Sequence, residues 1–200
     1  MKRMEPLSEQ EIQKMIRAAF AESERDGVLL SIAAKHAVRA HELAKLDVSQ
    51  HLNLKDGCIF IPRGKGSVAK REDLMPGEAD MLRKYLNGRT DGLLFPSSKV
   101  GPRLGVKKSG GTRRNSRPDG ALSSSQIYCI FRRYAELTNV PDASRSPHAF
   151  RHSLGQNLKD KGMDIATLQV VMGHKSIQST MRYFTIKQST ADAEKARLLA

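Results

Sequence analysis

SPHAFRHSLGQNLKDKGMDIATLQVVMGHKSIQSTMRYFT, residues Ser146 to Thr185, is the stretch on which the reading of this chain turns. His148 and Arg151 stand three residues apart, so on a helix they share one face, a turn from each other. His152 adjoins Arg151 and points about 100° off that face, which fits a structural histidine. Ile165, Leu168, Val171 and Met172 make an apolar helical run, and Gly173 is placed to end it just before His174. Tyr183 follows nine residues after His174. At about 100° per residue, nine steps along one helix would point the two side chains in opposite directions. The chain must therefore turn between them, and Ser176 can cap a fresh helix carrying Tyr183.

Each of these residues alone has an ordinary explanation. A histidine on an amphipathic helix is usually packed or solvated, and a tyrosine is usually half-buried with its hydroxyl on a backbone group. Four residue types at fixed offsets within one short window point instead to chemistry on a phosphate. The composition agrees without deciding: a net charge of +13 and a pI near 10.0 suit a polyanionic partner, but also a ribosomal or membrane-surface protein. Cys58 and Cys129, in segments that read as strand and helix, make a disulfide framework unexpected and a reducing, cytoplasmic setting the natural one. No C-x-x-C or His-Cys cluster marks a metal site. No apolar run reaches the roughly 18 residues of a membrane span, and Met1-Lys2-Arg3 leads into no apolar segment, so export and membrane insertion are not expected.

Outward from the signature, the chain reads mainly as helix. Ser8-x-x-Glu11 is a capping box opening a helix over residues 7–21, with Ile12, Met15, Ile16, Ala19 and Phe20 as its buried stripe. A largely apolar second helix is expected over 27–36, and HAVRAHELAKLDV makes a third with Leu43 and Leu46 inward. Arg39 sits at their junction, near a helix N-terminus that would favour an anion; a surface arginine or a pair with Glu42 is the plain alternative. HLNLK, the Asp56-Gly57 turn and CIFIP then read as a β-hairpin. Arg63-Gly64-Lys65-Gly66 is a second turn, leading to a third strand over 69–74. A helix from Pro76 to about Leu86 follows. Residues 97–120 are irregular and basic, with Lys107, Lys108, Arg113 and Arg114, either a solvated loop or a set of phosphate-backbone contacts. Ser123-x-x-Gln126 caps another helix with Ile127, Ile130, Phe131 and Tyr134 at core spacing; Tyr85, Tyr128 and Tyr134 read as structural.

H-x-x-R at His148 and Arg151, G-H at Gly173-His174, and Tyr183 nine residues on together resemble the C-terminal signature of the tyrosine recombinases, the phage-integrase family. Ala37-Val38-Arg39-Ala40-His41-Glu42-Leu43 is similar to that family's G-x-R-x-x-E-L segment, with alanine in place of glycine. The resemblance runs from about Leu7 to Thr185 and implies a mainly α fold with a small three-stranded antiparallel β-sheet, as in a tyrosine recombinase catalytic domain. It implies catalytic roles for Arg39, Lys65, His148, Arg151, His174 and Tyr183, with Glu42 balancing Arg39 and Lys70 as the competing lysine. Arg63, Lys70, Lys107, Lys108, Arg113, Arg114 and Arg182 become candidate DNA contacts.

The implied activity is metal-free and ATP-free DNA cleavage through a 3′-phosphotyrosine, followed by strand exchange in integration, excision or inversion. Implied partners are double-stranded DNA, sister copies forming a tetramer on synapsed sites, and an accessory DNA-binding protein, all at the nucleoid. The chain is expected to be one catalytic domain over residues 1–200, with a tail over about 186–200. Only six residues precede Leu7, so no separate N-terminal DNA-clamping domain is expected, as in the short fimbrial-switch recombinases. A type IB topoisomerase and a DNA-binding regulator that does not cleave are the two competing classes.

Overall fold

The structure, a computed structural model, describes residues 6–64, 70–97, 120–141, 144–184 and 195–197. Lys65, Lys107, Lys108, Arg113 and Arg114, and nearly all of the basic stretch and the tail, lie outside the described residues.

Helix α1 (Glu9–Glu22) starts where its capping box dictates: Ser8 Oγ accepts from the Glu11 amide, and the Glu11 carboxylate accepts from the Ser8 amide. Ile12, Met15, Ile16 and Ala19 are buried as expected. Phe20 is not; it stays 38% exposed and lies over Gly27, where a Cβ would come within 2.4 Å of its ring. That contact is possible because Gly27 falls inside α2 (Glu24–Lys35), which begins three residues earlier than expected, capped by Ser23. Helix α2 is buried along Val28–Ala33 and packs against α1 and against the later helices over Glu78–Leu86 and Pro147–Asp160.

The third helix is much shorter than expected. Ala37 adopts φ +48°, a left-handed conformation that ends continuity after α2, and α3 (Ala40–Leu43) starts afresh with Arg39 as its N-cap residue. This is the position where the family segment carries glycine, and the backbone here has the conformation glycine favours. Helix α4 (Val48–His51) takes up His51, shortening the first strand to β1 (Leu52–Asn53). With β2 (Cys58–Ile61) and β3 (Lys70–Asp73) it forms a three-stranded antiparallel sheet in the order β1-β2-β3, with Ile61 opposite Lys70.

Helix α5 (Glu78–Leu86) begins later than expected. Gly77, at φ +81°, is its N-cap residue, so Pro76 precedes the helix instead of lying in its first turn. Helix α6 (Ser124–Leu137) has the expected Ser123/Gln126 capping box and buries Ile127, Phe131 and Tyr134. Helix α7 (Pro147–Asp160), capped by Ser146 with Pro147 in its first turn, meets α6 edge-on through Phe131 and Phe150, with ring centroids 4.8 Å apart. Among the described residues no helix is long and apolar enough to cross a membrane.

The main core is shared by α1, α2, β2, α5, α6 and α7. A smaller cluster, Ala37, Leu168, Met172 and Tyr183, sits apart from it and joins the last helices to the turn after α2.

Candidate active site

Three separate pieces of chain converge on one cleft of about 290 Å³: the start of α3 with Arg39 and His41, the first turns of α7 with His148 and Arg151, and α6 with Ser124 and Tyr128. His148 and Arg151 do share a helix face, as their spacing requires.

Arg151 is buried, and its two terminal nitrogens donate to the Ala37 and Met172 carbonyls. Its guanidinium therefore bridges the left-handed turn before α3 and the open carbonyl end of α8 (Ile165–Met172). Burial, then Arg39 and Arg63, lower its pKa to about 10, which leaves it charged at neutral pH. Arg39 keeps about a third of its side chain in solvent and is held by Glu42: Nη1 donates to Oε1 at 2.9 Å, and its own amide donates to Oε2 at 2.8 Å. Burial pushes the Glu42 carboxyl up, but the Arg39 amide and the Arg63 and Arg39 guanidinia outweigh it and hold Glu42 below the ordinary carboxylate range.

The histidines are tuned the other way. Burial, then the charges of Arg151, Arg182 and Arg39, push His148 below the usual imidazole value. His174, released from α8 by Gly173 at φ +59°, is lowered to about 4 by burial and by Arg151, Arg39, Arg182 and Arg63 in turn. Both rings are neutral at pH 7, so one can take a proton and the other can donate its N–H without bringing a charge. His174 Nδ1 lies 2.9 Å from the buried Thr180 Oγ1, which fixes the ring and leaves Nε2 for a ligand.

The chain turns between His174 and Tyr183 through α9 (Gln178–Met181), a single turn. The Ser176 hydroxyl accepts from the Gln178 amide, one position ahead of the N-cap residue, Ile177. Tyr183 then lies just beyond this turn, only 6% exposed. Its ring stacks on His152 with centroids 5.3 Å apart, and it lies so close to α7 that a Cβ on Gly155 would stand 2.7 Å from Cζ. Burial raises the phenol pKa, while Arg151 and Arg182 pull it back.

Sequence reading missed Gly155 and His152 as the seat of Tyr183; an isolated glycine inside a helical pattern was the signal available. It also misplaced Arg63. That side chain is fully buried, with Nη1 donating to Glu42 Oε2 at 3.0 Å and Nη2 to Glu72 Oε1 at 2.9 Å, so it presents no surface to DNA. Tyr85 and Tyr134 are structural, bonded to the Leu94 carbonyl and to Asp26. Tyr128, by contrast, is 46% exposed and lines the cleft. Lys70 stands 3.7 Å from Glu72 and shares a second cavity, of about 460 Å³, with His174. Arg182 is exposed and acts on both histidines.

The helical frame, the three-stranded sheet and the placement of these groups define the catalytic-domain fold of a tyrosine recombinase. The XerA recombinase crystal structure superposes with a TM-score of 0.71 at 22% identity, over 98% of this chain and 66% of that one. The Tn1549 transposon integrase in complex with transposon right end DNA gives 0.73 at 17% identity, over 100% of this chain and 67% of that one. The chain belongs to the phage integrase family, whose profile matches residues 5–189. Curated relatives include tyrosine recombinase XerA of Pyrococcus furiosus, 26% identical over 96% of this chain and 62% of its own length. Tyrosine recombinase XerC of Treponema denticola is 32% identical over 80% of this chain and 51% of its own length. The type 1 fimbriae regulatory protein FimE of Escherichia coli is 29% identical over 88% of this chain and 83% of its own length. The chain thus spans between half and two thirds of the length of the Xer relatives it matches.

Proposed function

We propose that this chain is a site-specific DNA recombinase that cleaves by tyrosine attack. The observation that carries this reading is the cleft in which Arg39, His148 and Arg151 meet, with a neutral His174 and a protonated Tyr183 both under the influence of Arg151. Tyr183 Oη attacks the phosphorus, and the bond from phosphorus to the 5′-oxygen breaks. His148, neutral and able to accept, takes the phenolic proton. Arg39 and Arg151 neutralise the nonbridging oxygens as charge builds on them, and His174 Nε2–H donates to one of them. The departing 5′-oxygen needs a proton, assigned to Lys65 by its place in the sequence; Lys70, ion-paired with Glu72, is the alternative donor. A 5′-hydroxyl from a second strand reverses these steps, so the phosphodiester energy is kept in the phosphotyrosine and strand exchange follows.

The partner under this reading is double-stranded DNA of the nucleoid, with sister copies assembling as a tetramer on paired sites and an accessory DNA-binding protein aiding site choice. Support comes from relatives whose structures are described as bound to DNA, among them XerH on its difH substrate. Residues 1–200 act as one catalytic unit in this scheme, with Arg182, Lys107, Lys108, Arg113 and Arg114 contacting the backbone.

The test uses nicked suicide DNA carrying candidate sites from the flanking genome, in EDTA. An SDS-stable protein–DNA adduct is expected from the wild type and none from Tyr183→Phe, which keeps DNA binding. Binding without an adduct on every site would favour a regulator that does not cut; relaxation of supercoils without recombinants would favour a topoisomerase.

A further inference from the structure

The described active-site segments meet at one buried residue that the chemistry above does not use. Arg63, two residues beyond β2, reaches the carboxylate of Glu42, which holds Arg39, and that of Glu72 on β3. Its Nη1 also donates to the Ala37 carbonyl at 3.3 Å, the same oxygen that receives Arg151. The same side chain also closes on Gly173: a Cβ there would stand 3.1 Å from Nε, the one nitrogen of Arg63 with no hydrogen-bond partner. Gly173 leads directly into His174. Next along the chain, Gly64 abuts His41 of α3, with 2.7 Å between a Cβ position and Nε2.

Resting on the recombinase reading, we propose that Arg63 is a positioning residue. Anchored by Glu72, it sets the spacing between the segments that carry Arg39, Arg151 and His174. A planar fork is what this place requires, since its two terminal nitrogens reach acceptors on separate segments that one compact ammonium cannot span. Burying the charge is offset by the two carboxylates it joins; without Arg63, Glu42 keeps only Arg39, and Glu72 keeps only His36 and Lys70. Beyond Glu72 the alternation of sign continues through His36 to Glu78 at 2.9 Å each, but among the described residues Glu78 is bonded to His36, Lys35 and the Met75 amide and not to Arg39, Arg151 or His174. Glu78 therefore separates a stabilising role from a positioning one.

The experiment compares Arg63→Gln, Arg63→Lys, Glu72→Gln and Glu78→Gln with wild type, at a temperature where circular dichroism shows each folded. Single-turnover cleavage of nicked DNA at saturating protein and the Kd for the same DNA are measured separately. The Arg63 and Glu72 variants should lose roughly 10- to 100-fold in cleavage rate with little change in Kd, as expected for reacting groups displaced by about an ångström. Arg63→Lys should recover thermal stability relative to Arg63→Gln without recovering the rate, and Glu78→Gln should melt earlier yet cleave at the wild-type rate. Wild-type cleavage by folded Glu72→Gln or Arg63→Gln overturns the proposal. So does a rate loss that merely follows melting temperature through Glu78→Gln. If wild type itself makes no adduct, the recombinase reading fails, and an activity-free readout then decides the positioning role. His174 is faced by Arg151, Arg39, Arg182, Arg63 and Thr180, with Lys70 and Lys175 lining the same cavity. Arg63→Lys keeps the positive charge but not the fork, so the NMR signals of the Gly173 amide and the His174 ring should still shift in it; signals unchanged from wild type overturn the proposal.

Discussion

Raising the pH from 6.5 to 9 should destabilise this protein, because of one buried histidine. His36 is 1% exposed, with Nδ1 2.9 Å from Glu72 Oε2 and Nε2 2.9 Å from Glu78 Oε2. Burial pushes the imidazole pKa down, but the two carboxylates overcome it and raise it from 6.5 to about 9. Lys35 stands on the far side of Glu78, and Arg63 on the far side of Glu72. A group whose folded pKa is raised contributes stability that is complete below its unfolded pKa and lost as pH climbs through the folded one. At about 1.4 kcal/mol per pKa unit the loss across this window is about 3 kcal/mol, or roughly 6–12 °C of melting temperature for a chain of this size. Below pH 6.5 the sign reverses. His148, His152 and His174 have lowered folded pKa values, so the stability they contribute is present above 6.5 and lost on acidification. Stability should therefore peak near pH 6.5. Calorimetric melts of wild type and His36→Gln at matched ionic strength check this. A melting temperature that stays flat from pH 6.5 to 9, or an equal decline in the variant, refutes the assignment of that proton to His36.

Arg151→Ala should lower single-turnover cleavage by about 3–4 kcal/mol, several hundredfold, as for loss of a transition-state donor; normal cleavage would show that the cleft is not the reacting centre. Gly155→Ala should push the Tyr183 ring from its seat, since 2.7 Å leaves no room for a methyl. The phenol pKa, raised first by burial, should then fall back toward 10, seen by ultraviolet titration of wild type and variant against their Tyr183→Phe counterparts. Ala37→Val should cost more than about 2 kcal/mol, because a branched side chain is poorly tolerated at positive φ. Ala37→Gly should stay within about 1 kcal/mol of wild type in denaturant melts, because relief of strain is offset by backbone entropy and a lost buried methyl.

What could be read from sequence was whatever is encoded locally. Ser8, Ser123 and Gly173 act within one turn of themselves, so both capping boxes and the end of α8 fell where expected. The His148/Arg151 face follows from helix geometry alone. Arg63 shows the opposite case. A basic residue beside Gly-Lys-Gly looks like a surface contact, and its burial is visible only once Glu42 and Glu72 are brought to it from elsewhere in the chain. His36 was likewise invisible as a charged residue, since its carboxylates lie 36 and 42 positions away. The displaced start of α5 has a local cause that was missed: Gly77 takes a left-handed conformation and forces the helix to begin after it.

The two arginines of the cleft are held by different kinds of acceptor. Arg151 is oriented by peptide oxygens at Ala37 and Met172, whereas Arg39 depends on the single side chain of Glu42. Peptide oxygens survive any substitution that keeps the local path of the chain, but a carboxylate can be lost by one base change. Genetic drift should thus leave the Arg151 geometry intact through many exchanges at position 172, while position 37 is confined to residues that accept positive φ. A saturation library scored for cleavage should find Met172 permissive to apolar residues of similar size, and Glu42 nearly closed.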